Sequence, residues 1–201
     1  MQKKRIRYSF LLLIGSFILL TSLSSNIEEL RKFCAKNYGT QKLNDFLFVS
    51  INEQKLYYYK NGVLQKTYPV STSKYGIGSK ENSLQTPLGL HYIREKSGSG
   101  APLGGILVNG KYNGTIANIE KEAKSIGSDD VTTRILWLMG CEHGNNRGKG
   151  KDSYCRRIYI HGTPEEGLIG KPASHGCIRM KNSDVVELYS KVTLGLYVLI
   201  Q

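Results

Sequence analysis

From Asp45 onward the chain runs in short apolar, β-branched and aromatic stretches separated by polar turns. Residues 46–51, 55–60 and 63–68 read as three strands. Asn61-Gly62 joins the last two as a tight hairpin, because both central turn positions need positive φ. Further strands are predicted at 90–94, 106–108, 133–138, 157–160 and 195–200. Loops rich in glycine and serine fill 71–82 and 96–105. Residues 182–191 carry the best helical pattern, with polar candidates for its N-cap, and a second short helix is expected around 116–125. Many short strands with one or two short helices make a mostly β, sandwich-like domain. Trp137, alone in an apolar strand, is expected in the core, and His91 is expected to pack.

The first residues follow another pattern. Lys3, Lys4, Arg5 and Arg7 precede an apolar run from Tyr8 to Leu20, and small polar residues follow at 21–25. That order is the basic, apolar and small-residue succession of a secretory signal. The run is short for a membrane span of about 20 residues. Residues 1–25 are therefore read as a signal peptide or signal anchor, with 6–23 able to tether the chain to a membrane. Residues 26–43 are read as a linker or short amphipathic helix, and 44–201 as the domain. An exported, periplasmic or envelope location is expected.

Charge changes the picture less than its size suggests. The formal net charge is +12; four of those charges belong to the targeting segment, which leaves +8 on the rest. A basic surface suits an acidic polymer such as cell wall, and an exported chain without a nucleic-acid motif is not expected to bind nucleic acid. Twenty-two glycines and thirteen tyrosines agree with a turn-rich β fold. Export makes disulfides conceivable for Cys34, Cys141 and Cys155. Cys141 and Cys155 bracket a loop of glycine and charge that a bridge could pin.

The chemistry is concentrated near the end. Ile158-Tyr159-Ile160-His161-Gly162-Thr163 is followed by Ala173-Ser174-His175-Gly176-Cys177-Ile178-Arg179-Met180. A thiol attacks as thiolate, and a nearby imidazole can take its proton. His175 and Cys177, two apart, share a face if the segment is extended. Backbone N–H groups near Gly176 and Cys177 are natural oxyanion donors, worth roughly 3 kcal/mol each. The excursion after His161 could return it beside His175.

These motifs, with the Asn61-Gly62 hairpin, Pro69-Val70-Ser71-Thr72 and Thr86-Pro87-Leu88-Gly89, resemble the L,D-transpeptidase (YkuD-like) catalytic domain over about 44–201. The resemblance implies a β-sandwich that acts on peptidoglycan stem peptides without a cofactor. Cys177 would be acylated with loss of D-alanine, and an amine of a second stem peptide or of a wall-anchored protein would take the acyl group. His175 would serve as base and then acid. His161, Ser174 and Gly176 would shape the pocket, and Arg179 would grip an acidic ligand. The stretch 96–154 is longer than the simplest pattern and is expected to form an insertion or lid.

Other readings compete. Water in place of the amine gives an L,D-carboxypeptidase, and loss of catalysis a wall-binding protein. The spacing does not fit a general cysteine protease. His161, His175, Cys177, Cys141, His143 and Cys155 could in principle ligate zinc, but no ligand pair has the usual spacing, and no metal is expected.

Overall fold

In the computed structural model the described residues are 44–201, with Lys32 and Lys36 before them, both helical. The segment read as a signal, the rest of the 26–43 linker or short helix, and Cys34 lie outside the described residues. Ten strands are present: β1 (Phe46–Ser50), β2 (Lys55–Lys60), β3 (Val63–Pro69), β4 (Gly89–Ser97), β5 (Gly105–Val108), β6 (Lys111–Ile116), β7 (Thr132–Gly140), β8 (Tyr159–Gly162), β9 (Ile178–Met180) and β10 (Tyr197–Ile200). The one α-helix among them, α1, spans Asn182–Lys191. The domain is thus mostly β with a single helix.

All ten strands belong to one hydrogen-bonded sheet, ordered β3-β2-β1-β10-β4-β7-β5-β6, with β8 on β7 and β9 on β8. The Asn61-Gly62 turn closes β2 on β3, and both residues have positive φ. β7 pairs with β4, β5 and β8, so the sheet branches there. The stretch 96–154, expected to form an insertion or lid, also holds strands of the sheet itself. The stretch contains the most connected strand of the sheet, flanked by two excursions at 117–131 and 141–158. The short helix expected around 116–125 is absent; β6 ends at Ile116 and the chain continues without regular structure. Glu120 pairs instead with the Pro164–Gly167 backbone, and Ser125 and Ile126 with the Glu165 carboxylate, which holds the segment out of a helix.

The two faces of β7, β8 and β9 divide the labour. Leu136, Leu138, Ile160, Ile178 and Met180 point into the main core, where Val185 and Leu188 of α1 and Val192 just after it join them. Burying such side chains stabilises the fold by roughly 1.5–3 kcal/mol each. No side chain of the cap residue Lys181 satisfies the start of α1. Glu166 Oε1 accepts instead from Asn182 N and Nδ2, both at 2.8 Å. Lys96 Nζ closes the other end on the carbonyls of Tyr189 and Val192.

The opposite face carries Trp137, Tyr159, His161, Cys177 and Arg179, by the two-residue alternation of the strands. Trp137 is therefore not in the main core. Its indole stacks on Tyr154 at 4.3 Å, meets Tyr159 edge-on at 5.1 Å, and donates to Tyr154 O. Cys141 and Cys155 are free thiols, not a bridge. The buried Asn146 pins their loop, donating to the carbonyls of Leu88 and Leu90 and accepting from Ser153 N.

Candidate active site

Cys177 sits just before β9, half-buried. Its Sγ donates to Arg157 O at 3.3 Å and accepts from Tyr159 N at 3.4 Å. Arg157 reaches that position with φ of +57°, an uncommon backbone for a residue with a side chain. Burial pushes the thiol up to about 12; the Tyr159 N–H works against burial, the charge of Asp129 adds to it, and Arg179 and Arg156 oppose it. Unassisted, the group is a thiol and not a thiolate at neutral pH.

The segment 174–177 is a bend, not an extended run. Gly176 has φ of +124°, a conformation that side-chain-bearing residues rarely adopt. Buried Ser174 closes the bend, donating to Cys177 O at 2.6 Å and accepting from Gly176 N at 3.2 Å. Thr86 Oγ1 donates to Gly176 O at 3.0 Å. Two expectations change. The alternation that would put His175 and Cys177 on one face does not operate across Gly176. The Gly176 N–H is spent on Ser174, so the Cys177 N–H, without a hydrogen-bond partner among the described residues, is the better oxyanion donor.

Two imidazoles flank the thiol's strand. His175 Nδ1 meets Asp129 Oδ2 at 2.5 Å, its backbone N–H reaches the same oxygen at 3.2 Å, and Tyr75 tilts against the ring at 5.7 Å. His161 is 1% exposed, and its Nδ1 lies 2.6 Å from Gly162 O. A carbonyl only accepts, so that contact places the proton on Nδ1 and the lone pair on Nε2. Burial holds His161 down at about 4, against the pull of Asp129 and the Gly162 carbonyl, so the ring is neutral at pH 7. β8 and β9 run parallel with His161 opposite Arg179. Cys177 immediately precedes β9, the strand that pairs with the one carrying His161.

Arg179 does not reach for a ligand. It is 1% exposed, with Nε on Asp129 Oδ1 at 2.6 Å and Nη1 on Glu165 Oε2 at 2.8 Å. A planar guanidinium with both edges occupied by carboxylates organises its surroundings and has nothing left for an acidic substrate. Burial resists the charge on Asp129, but Arg179, His161 and the His175 hydrogen bond hold its carboxyl below the usual range. Glu165 is likewise held down against burial by Ser125, Ile126 and Arg179.

Asp129 and Glu165 escape a reading of the sequence. Asp129 lies in the irregular 117–131 segment, which no periodicity marks. The segment is tied down where Glu120 pairs with Glu165, through Glu120 N to Pro164 O at 2.8 Å and Gly167 N to Glu120 O at 3.0 Å. Ser125 Oγ and Ile126 N both donate to Glu165 Oε1 at 2.7 Å. A cleft of about 180 Å³ opens beside the thiol's partners, lined by Glu81, Leu84, Cys155, Arg156, Arg157 and His175 among others. No group of three or more metal-type ligands is assembled among the described residues.

A half-buried thiol held by backbone groups just before β9, beside the strand that carries His161 and two residues after His175, on a mostly β scaffold, defines a candidate cysteine-centred catalytic domain. The chain belongs to the L,D-transpeptidase catalytic domain family (YkuD), whose model matches residues 44–200. It is 51% identical over 53 residues to the putative L,D-transpeptidase YqjB of Bacillus subtilis, covering 26% of this chain and 28% of that protein. It is 46% identical over 43 residues to the probable L,D-transpeptidase YbiS of Escherichia coli K12, covering 21% and 14%. These matches span less than a third of either relative. The fold is similar to L,D-transpeptidase 3 of Mycobacterium tuberculosis, solved with a faropenem-derived adduct. That likeness has a TM-score of 0.50 at 16% identity, over 79% of this chain and 60% of the other.

Proposed function

We propose that this protein is a cysteine-dependent L,D-transpeptidase of peptidoglycan stem peptides. The observation that carries the reading is the family match over residues 44–200 together with a thiol, held by Arg157 O and Tyr159 N, at the start of the strand that pairs with the one bearing His161. Cys177 attacks the carbonyl that links the diamino acid, typically diaminopimelate, to the terminal D-alanine. The thiol proton passes to a histidine and from there to the departing amine of D-alanine, leaving a thioester on Sγ. An amine of a second stem peptide then attacks the thioester, delivers its proton to the same imidazole, and restores the thiol. The Cys177 N–H faces the developing oxyanion.

His161 is the better-supported proton acceptor. The Gly162 contact leaves its Nε2 lone pair free, and its strand β8 pairs with β9, which Cys177 immediately precedes. A thiol pushed up to about 12 makes an adjacent base necessary rather than optional. The second reading keeps His175 as the base, favoured by Asp129 on its Nδ1, an arrangement that orients an imidazole and stabilises its charged form. Export to the envelope, a membrane tether through residues 6–23, and a wall-anchored protein as alternative acceptor are part of the same proposal. They rest on the N-terminal pattern and the basic charge.

The test is mass analysis of disaccharide-tetrapeptide incubated with the full chain and with Cys177→Ala. A Cys177-dependent dimer that has lost one D-alanine supports transpeptidation. Cys177-dependent tripeptide alone means carboxypeptidase action. Binding of wall fragments without turnover by either protein would reassign the domain as a wall-binding module.

A further inference from the structure

Arg179 is consumed by Asp129 and Glu165, so any anionic group on a ligand must find its cation elsewhere. The cations around the thiol divide by what they already hold. Arg156 is committed: its guanidinium donates to Gly78 O, Ser83 Oγ and Gln85 O, clamping the 78–85 loop over the Gly176 bend. Lys151 Nζ donates to Gly144 O. Arg157 is different. Its side chain is exposed, lines the 180 Å³ cleft with His175, and makes no hydrogen bond or ion pair among the described residues. Its own carbonyl accepts from Cys177 Sγ, so the guanidinium is tethered one residue from the reacting atom.

The backbone adds a second reason. Arg157 holds φ of +57°, where asparagine or glycine would be less strained. An arginine kept there brings an unspent fork of donors to the mouth of the cleft. The cleft runs on, through shared Glu81, Cys155 and Arg156, into a larger one of about 400 Å³ that adds Lys149 and Lys151. Against Glu81 and Asp152 the two clefts set Lys149, Lys151, Arg156 and Arg157, so cations are in excess along the groove, and Asp152 is already occupied by the N–H groups of Gly148, Tyr154 and Cys155.

We propose that Arg157 is the specificity-determining residue of a carboxylate subsite, gripping a free carboxylate of the peptide whose carbonyl is presented to Cys177. This rests on the stem-peptide reading above and names the substrate feature that the site selects. Guanidinium matches a carboxylate with two parallel hydrogen bonds, and a grip near the scissile carbonyl also fixes the carbonyl's approach. A stem tetrapeptide offers three such groups: on the isoglutamate, on the side arm of diaminopimelate, and on the terminal D-alanine.

The experiment measures binding, not turnover, in the full chain carrying Cys177→Ala. The free tetrapeptide and its three singly amidated forms are titrated calorimetrically. One amidation is expected to weaken binding about tenfold or more. Adding Arg157→Asn, which tolerates the positive φ, should weaken the free peptide by the same factor and erase the response to that amidation. Arg157→Lys, with charge but no fork, should retain part of it. Which amidation matters identifies the carboxylate. Equal affinity for all four peptides, or an Arg157→Asn protein that discriminates as its parent does, overturns the subsite and leaves the peptide reading standing. Failure of Cys177→Ala to bind any of the four overturns the peptide reading and the subsite together.

Discussion

Asp129 Oδ2 lies 2.5 Å from His175 Nδ1, although the two residues stand 46 positions apart. The other oxygen of the same carboxylate receives Arg179 Nε at 2.6 Å. One loop carboxylate thus sets an imidazole and a buried guanidinium at once, and its replacement should be felt at both. Asp129→Asn keeps a hydrogen-bonding shape but removes the charge. It should cost about 2 kcal/mol in urea denaturation, less than for a fully buried pair because Asp129 is partly exposed. It should also lower the transpeptidation rate at least tenfold. An unchanged rate would show that His175 needs no anchor.

Arg179 and Glu165 form the more deeply buried pair, 1% and 2% exposed, with 2.8 Å between them. Glu165→Ala leaves the guanidinium with one partner and should cost about 3 kcal/mol or more. Adding Arg179→Met should recover part of that loss, because the uncompensated charge goes with it. A double-mutant cycle by chemical denaturation reads the coupling, and strictly additive losses would refute it.

The two histidines near Cys177 can be separated by their variants. His161→Gln should lower the rate of Cys177 acylation by about a hundredfold or more. His175→Gln should lower it less, since Asp129 can still receive the backbone N–H of residue 175. The reverse order would make His175 the base. With burial pushing the thiol up to about 12, iodoacetamide should label the wild type slowly at pH 7 and faster as pH rises.

His91 and His161 are both buried and both held down at about 4 by burial. His91 is also satisfied as a neutral ring, with Nδ1 on Gly89 O and Nε2 on Ser153 Oγ, both 3.0 Å. The unfolded chain takes up these protons near pH 6.5 and the folded chain only near 4, so the unfolded state binds more protons in between. Stability should therefore be full above about pH 6.5 and fall as pH drops from 6.5 toward 4, by an amount of the order of 3 kcal/mol per histidine. Urea midpoints at pH 7, 6 and 5 check this above the carboxylate range. His91→Asn should flatten the slope whatever it does to absolute stability.

Gly162 admits no side chain. A Cβ there would lie 2.5 Å from Asn182 Oδ1 and 2.9 Å from Thr132 O. Asn182 cannot yield, since it accepts from Thr132 and Thr133 and donates to Thr163 O and Glu166. Gly162→Ala should thus destabilise by about 2 kcal/mol or more and displace the carbonyl that orients His161. A melting curve with the acylation rate checks both; a variant of native stability and rate would show that the strand shifts freely.

How much of this was legible beforehand follows from the range over which each cause acts. The apolar and aromatic runs in Phe46–Ser50 and Thr132–Gly140, the Asn61-Gly62 turn and the helical pattern of 182–191 are local, and strands, hairpin and helix follow from them. Ser174 to Arg179 marked the candidate nucleophile for the same reason. Side-chain partnerships between distant segments leave no local trace. The sequence suggested a ligand for Arg179, but the fold brings Asp129 and Glu165 to it and occupies it. The sequence suggested one extended face for His175 and Cys177, but Gly176 at positive φ breaks the alternation, and the sheet pairs the strand of His161 with the one that Cys177 precedes. What the sequence determined by itself was which chemistry this chain carries. Only the tertiary structure decided which charges are spent and which, such as Arg157, remain free, because that depends on which carboxylates the closed chain brings within hydrogen-bonding reach.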